Sequence, residues 1–167
     1  MKLGVLSDTH NNVANLLKAL RLFKEEGVSQ LLHCGDMADM LTARQLADID
    51  VIYVNGNMDN SAEAVNHTVW TLNPNNEIPG DVYLGTLGGV KIGATHGHLT
   101  KKLDNLINSR RNKYVFHGHT HRQRDEMIGN TRVINPGALG GARYEPRSVC
   151  IVDLDQDDVR FITVSNY

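Results

Sequence analysis

The chain has 167 residues, 41% hydrophobic and 22% charged, the length and balance of one globular domain (residues 1–167) with a full core. Its formal net charge of -2 excludes a general polyanion binder, so nucleic acid is not a favoured partner and an anionic ligand must be attracted locally. The apolar run before Asp8 is too short for a secretory signal or a membrane span, so no membrane partner is expected and the cytoplasm is the expected compartment.

Residues 2–7 read as a first strand, nearly all apolar and closed by Asp8-Thr9-His10. Val13, Leu16, Leu17, Leu20 and Phe23 then recur at helical spacing, with Asn11 or Asn12 as N-cap and Gly27 as the stop. Residues 30–33 form a second strand ending in Cys34-Gly35-Asp36, and residues 41–47 a second helix. Residues 51–54 form a third strand, ending in Asn55-Gly56-Asn57-Met58-Asp59. This alternation predicts a parallel sheet with right-handed crossovers. Residues 60–80 lack a clear period and read as irregular loop, with one strand near residues 69–72; His67 and Trp70 there read as surface packing.

After Asp81 the texture changes. Residues 82–84 and 90–92 flank Gly88-Gly89 as a hairpin whose second strand runs into Thr95-His96-Gly97-His98. Leu103, Leu106 and Ile107 mark a helix, and the cations around it (Lys101, Lys102, Arg110, Arg111, Lys113) read as a solvated face. Tyr114-Val115-Phe116 is a short buried strand opening into His117-Gly118-His119-Thr120-His121. Two more hairpins turn at Gly129-Asn130 and at residues 156–158, the first ending in Asn135-Pro136-Gly137. Strands apolar on both faces are satisfied by an α/β arrangement of two mixed sheets packed face to face with helices outside. Cys34 and Cys150, among apolar neighbours, read as buried free thiols, and His33 and His117 as core histidines.

Five strand ends carry one kind of chemistry. They deliver Asp8 and His10, Asp36, Asn57, His96, and His119 with His121, and in α/β sheets the carboxyl edges of strands are where loops converge into sites. Any one of these residues has a bland reading: a helix cap, a turn residue, a polar loop. Seven oxygen or imidazole donors at corresponding ends of five strands exceed what one catalytic divalent ion takes from protein, and suit two ions sharing a carboxylate.

In order along the chain, DxH, GDxxD (Gly35 to Asp39), GNxD (Gly56 to Asp59), a single His and GHxH (Gly118 to His121) resemble the calcineurin-like metallophosphoesterases, and most of all their small single-domain phosphodiesterases. The resemblance covers nearly the whole chain and implies a four-layer αββα sandwich. It implies Asp8, His10 and His121 as ligands of a first metal, Asn57, His96 and His119 of a second, and Asp36 as the bridge. Asp39 would orient a ligand from behind, while His98 and Asn135 lie near enough to the edge to assist. The implied cofactors are two divalent ions, manganese foremost, with zinc, iron, nickel or cobalt admitted by a nitrogen and oxygen donor set. The implied reaction is hydrolysis of a small phosphodiester by a metal-bridging hydroxide, with Asp36, Asn57 and His98 as the catalytic set and no protein nucleophile. A homo-oligomer is compatible with this reading.

Two positions depart from the pattern. Met58 stands where larger members carry the histidine that protonates the leaving group, and Ala138 where the INPG stretch often continues with serine. The competing functions are a non-catalytic protein-binding scaffold of the same fold and a nuclease. Filled ligand positions argue against the first, and the mild negative charge against the second.

Overall fold

The computed structural model describes residues 1–59 and 62–164. The first sheet holds β1 (Lys2–Leu6), β2 (Gln30–His33), β3 (Asp50–Val54) and β4 (Glu77–Gly80) in parallel. The second is β5 (Val82–Leu87), β6 (Val90–Thr95), β7 (Tyr114–Phe116), β8 (Gln123–Ile128) and β9 (Thr131–Pro136). The chain then returns to the first sheet with β10 (Ser148–Asp153) and β11 (Asp158–Thr163). The strand orders are β11-β10-β1-β2-β3-β4 and β5-β6-β7-β9-β8.

Alternation along each strand separates three cores. From the first sheet Leu3, Val5, Leu32 and Ile52 meet Ile92, Tyr114, Phe116 and Ile134 of the second. The opposite face of the first sheet, with Leu6, Leu31, Val51 and Tyr53, packs under α1 (Val13–Glu25), α2 (Met40–Ala43) and α3 (Ala62–Leu72). Val115 and Val133 turn outward onto Leu106 and Ile107 of α4 (Thr100–Asn108). The result is the expected αββα sandwich of two mixed sheets. Cys34 and Cys150 are both buried and free within it. Among the described residues no helix is long and apolar enough to cross a membrane.

Local chemistry sets the element ends. Asn12 caps α1, its Oδ1 accepting from the Asn15 N–H at 3.1 Å, and Gly27 takes φ +70° just beyond the helix, as the sequence predicts. Residues 69–72 are corrected: they are the last turn of α3 and not a strand, with Val65 and Val69 buried one turn apart. Within the segment read as irregular, β4 also forms and pairs with β3, while residues 60 and 61 lie outside the described residues. The second helix begins one residue earlier than expected and tightens into a 3-10 turn over Arg44–Leu46.

Candidate metal centre

The carboxyl ends of β1, β2, β3, β6 and β7 reach one edge of the sandwich, and their loops are laced together by backbone hydrogen bonds. Asp8 N donates to Gly35 O (3.0 Å), His10 N to Asp36 O (3.0 Å) and Gly118 N to His96 O (2.9 Å). Five of the residues so displayed, Asp8, His10, Asp36, His119 and His121, sit at positive φ between 43° and 67°. Left-handed backbone costs a side-chain-bearing residue about 1 kcal/mol or more, and such outliers gather where function over-determines them. Close approach is required too: a Cβ on Gly118 would lie 2.6 Å from Asp8 Oδ2, and one on Gly56 would collide with the Asp36 carboxylate.

Asp8, His10 and His121 form one group of donors, and Asp8, Asp36 and His96 another. His121 Nε2 lies 3.2 Å from Asp8 Oδ1 and 3.2 Å from His10 Nε2. Asp36 Oδ2 stands between the groups, 3.7 Å from His10 Nε2 and 3.3 Å from His96 Nε2. Asn57 Oδ1 is 3.1 Å from His96 Nε2, and the rings of His119 and His98 lie 5.2 and 5.4 Å from that of His96. The structure thus brings together all eight of Asp8, His10, Asp36, Asn57, His96, His98, His119 and His121.

Tautomers follow from the partners behind the rings. His96 Nδ1 donates to Cys34 O and His121 Nδ1 to Ala142 O, each at 2.7 Å, which leaves both Nε2 lone pairs turned into the cluster. Asp8 Oδ2 is held by the His119 N–H at 3.0 Å, while Asp8 Oδ1 is buried with no hydrogen-bond partner. An orphaned anionic oxygen faced by imidazole lone pairs is a cation's environment, and this donor set fits divalent metal. Burial lowers the pKa of His96, but Asp36 and Asp8 outweigh it and leave it raised; Asp8 raises that of His121 directly. Burial would raise Asp8 and Asp36, yet the surrounding histidines, His10 and His121 for Asp8 and His96 for Asp36, hold both lowered.

Asp39 does not orient a ligand. Its Oδ1 accepts from Thr42 N at 2.8 Å, capping α2. The supporting carboxylate is Asp59, which sequence reasoning passed over although it closes the GNxD stretch. Its Oδ2 accepts from Asp36 N (3.1 Å), Gly56 N (2.6 Å) and Tyr53 Oη (2.6 Å), and its Oδ1 from Ala38 N (3.0 Å). Burial, then Asp59 itself, pushes the Tyr53 phenol well up, so it stays a donor. Asn135 is a buried brace: its Nδ2 donates to Gly118 O (2.8 Å) and Thr120 Oγ1 (3.1 Å). Met58 is 45% exposed beside the cluster, its N–H on Asp36 Oδ1 at 2.7 Å. His67 and Trp70 are exposed neighbours on α3, with ring centroids 6.2 Å apart. A cleft of about 640 Å³ opens elsewhere, at the amino ends of the strands, where Leu17, Leu20 and Arg21 face Ile49 and Asp50.

Residues 1–157 match the calcineurin-like phosphoesterase superfamily domain. A phosphodiesterase of Methanocaldococcus jannaschii is 28% identical over 165 residues, covering 98% of this chain and 99% of that one. The solved structure of an archaeal phosphodiesterase superposes with a TM-score of 0.92 at 30% identity, covering 98% of this chain and 99% of that one. Vps29 of Entamoeba histolytica shares the fold, with a TM-score of 0.66 at 19% identity and coverage of 98% and 99%.

Proposed function

Since the chain belongs to the calcineurin-like phosphoesterase superfamily, we propose that it is a metal-dependent phosphodiesterase working at a dinuclear centre. The observation that carries this is Asp8 Oδ1, buried, without a hydrogen-bond partner and faced by the Nε2 atoms of His10, His96 and His121 at 3.8, 3.9 and 3.2 Å. Asp8, His10 and His121 would hold one ion, Asn57, His96 and His119 the other, with the Asp36 carboxylate shared. Bound there, divalent ions, manganese foremost, supply charge neutralisation for phosphoryl oxygens and a water acidic enough to ionise near neutral pH.

The chain's own groups do the rest. Asp59 fixes the backbone at Asp36 and two residues beyond it, at Ala38, so the shared carboxylate keeps its place. His119 lies at the exposed lip, where a phosphoryl group enters. Burial, then the charges of His96 and His119, lower the pKa of His98, so at neutral pH it offers an N–H to a phosphoryl oxygen and carries no proton to give away. Met58 has no proton to give either, so the leaving group must depart as a stable anion. Diesters with good leaving groups are therefore the proposed substrates, and the cytoplasm the proposed compartment.

A scaffold gains nothing from an unpartnered buried carboxylate oxygen, which costs stability. The test is turnover of the metal-stripped protein after each divalent ion is added back, against phosphodiesters and monoesters. Metal-restored diester hydrolysis, lost in Asp36→Asn, is the expected result. No hydrolysis with any ion sinks the reading and favours the scaffold.

A further inference from the structure

Residues 140–147 pass directly over the His10 and His121 side of the cluster. The chain lies so close that a Cβ on Gly141 would stand 2.8 Å from both His10 Nε2 and His121 Cε1. This strap is fastened along its length. Ala142 O accepts from His121 Nδ1 at 2.7 Å, Arg147 donates to Gly140 O and, at 2.7 Å, to Gly141 O, and Glu145 Oε2 accepts from Gln123 N at 2.7 Å. Between these fastenings Tyr144 is presented 62% exposed. Its ring centroid lies 6.0 Å from that of His121, and the Arg122 guanidinium sits over the ring at 5.4 Å.

Nothing in the fold accounts for an exposed aromatic held this firmly beside a candidate ligand. The ring packs into none of the three cores. The charge on and next to the strap is mostly positive: Arg122, Arg143 and Arg147 outnumber the one carboxylate, Glu145, which is turned onto Gln123 N, and Arg147 has its pKa lowered by burial and then by the Arg143 charge. In a chain of net charge -2, that is local attraction for an anion at this side of the site. A flat ring with a cation behind it offers a stacking platform for another flat ring.

We propose that Tyr144, backed by Arg122, is a subsite for a planar ring on the ester group of the substrate, so that aryl or nucleoside phosphodiesters are preferred over alkyl ones. The proposal rests on the phosphodiesterase reading above and deepens it. Tyr144 touches the ester group that is kept, not the phosphorus, and so acts through binding.

The test holds the leaving group constant. Methyl, phenyl and thymidine-5′ diesters of p-nitrophenyl phosphate are compared by kcat/KM on the manganese-loaded protein. The expected preference for either ring-bearing diester over the methyl one is about ten-fold, the scale of one stacking contact. It should arise in KM, persist in Tyr144→Phe and collapse towards unity in Tyr144→Ala. Preference for thymidine over phenyl assigns the platform to nucleotides, and the reverse order to aryl esters. A second readout needs no turnover: calorimetric binding of phenylphosphonate against methylphosphonate, in wild type and Tyr144→Ala. Turnover without ring preference, or a preference untouched in Tyr144→Ala, overturns the subsite and leaves the phosphodiesterase standing. Ring-dependent phosphonate binding without turnover of any ester overturns the phosphodiesterase and leaves the subsite.

Discussion

His33 is used as a neutral imidazole on both sides. Its Nδ1 accepts from Gly35 N at 3.1 Å, so Nε2 carries the proton that meets Thr9 Oγ1 at 2.8 Å. Protonating Nδ1 would set two donors against each other, and burial lowers the pKa from 6.5 to about 4. The unfolded chain therefore binds a proton the folded one refuses. This part of the stability is whole above pH 6.5 and drains away as pH falls towards about 4. Denaturant melts at pH 7.5 and 4.5 should show His33→Gln losing less stability on acidification than wild type, by about 2–3 kcal/mol. Equal losses would remove His33 from the account. Met58 bears on selectivity: Met58→His should raise turnover most for esters with poor leaving groups, where a placed acid gains about 10²–10⁴-fold, and least for nitrophenyl diesters. If wild type already cleaves alkyl monoesters as fast as aryl diesters, Met58 limits nothing. At this scale the donors were legible because each stands at the end of an apolar run. The division of labour between Asp39 and Asp59 was not: both are carboxylates in loops, and only the fold shows that Asp39 faces its own helix while Asp59 gathers donors from its own strand end and from that of β2.

Among the elements, α3 shows where pattern reading fails. Only Val65 and Val69 of its 11 residues are buried, so there was almost no apolar stripe to see, and the run of Thr68, Val69, Trp70 and Thr71 favours a strand by local preference. What ties the helix down lies beyond it. Asn76, itself buried, donates from Nδ2 to Val69 O at 2.7 Å and accepts at Oδ1 from Val51 N at 2.8 Å, joining the end of α3 to β3. Asn76→Ala strands both backbone groups and should cost about 2 kcal/mol, with amide exchange rising first in α3. Unchanged exchange there would show that the helix is held by its valines alone. Ala38 offers the opposite sign: at φ 82° it pays for a left-handed conformation that glycine adopts freely. Ala38→Gly should raise the unfolding free energy by about 0.5–1 kcal/mol in a denaturant melt, and a loss would mean that its Cβ contacts matter more than the backbone. By contrast the β1–α1–β2 segment was legible in full, because propensity, capping by Asn12 and the stop at Gly27 all agree.

For the molecule as a whole, the sandwich followed from strands apolar on both faces, whereas strand order did not. Nothing local says that β10 leaves the second sheet's neighbourhood to pair antiparallel with β1. The site inherits this layout: Asp8, His10, Asp36 and Asn57 follow strands of the first sheet, and His96, His98, His119 and His121 follow strands of the second. A divalent ion at 100-fold its dissociation constant should add about 2.7 kcal/mol, or roughly 5–10 °C in melting temperature. The check is a thermal melt with manganese and with chelator, in wild type and Asp8→Asn, the shift vanishing in the variant; an undiminished shift there would place the ion elsewhere. Donors split between two sheets have a mechanical meaning as well. Between the sheets lies a layer of apolar side chains, a greasy plane along which layers can slip, and a ligand gripped from both sides acts on it as a rivet. Its loss would loosen no single strand, yet would free one layer to shear over the other, so the earliest damage from metal starvation should appear as sliding between intact sheets.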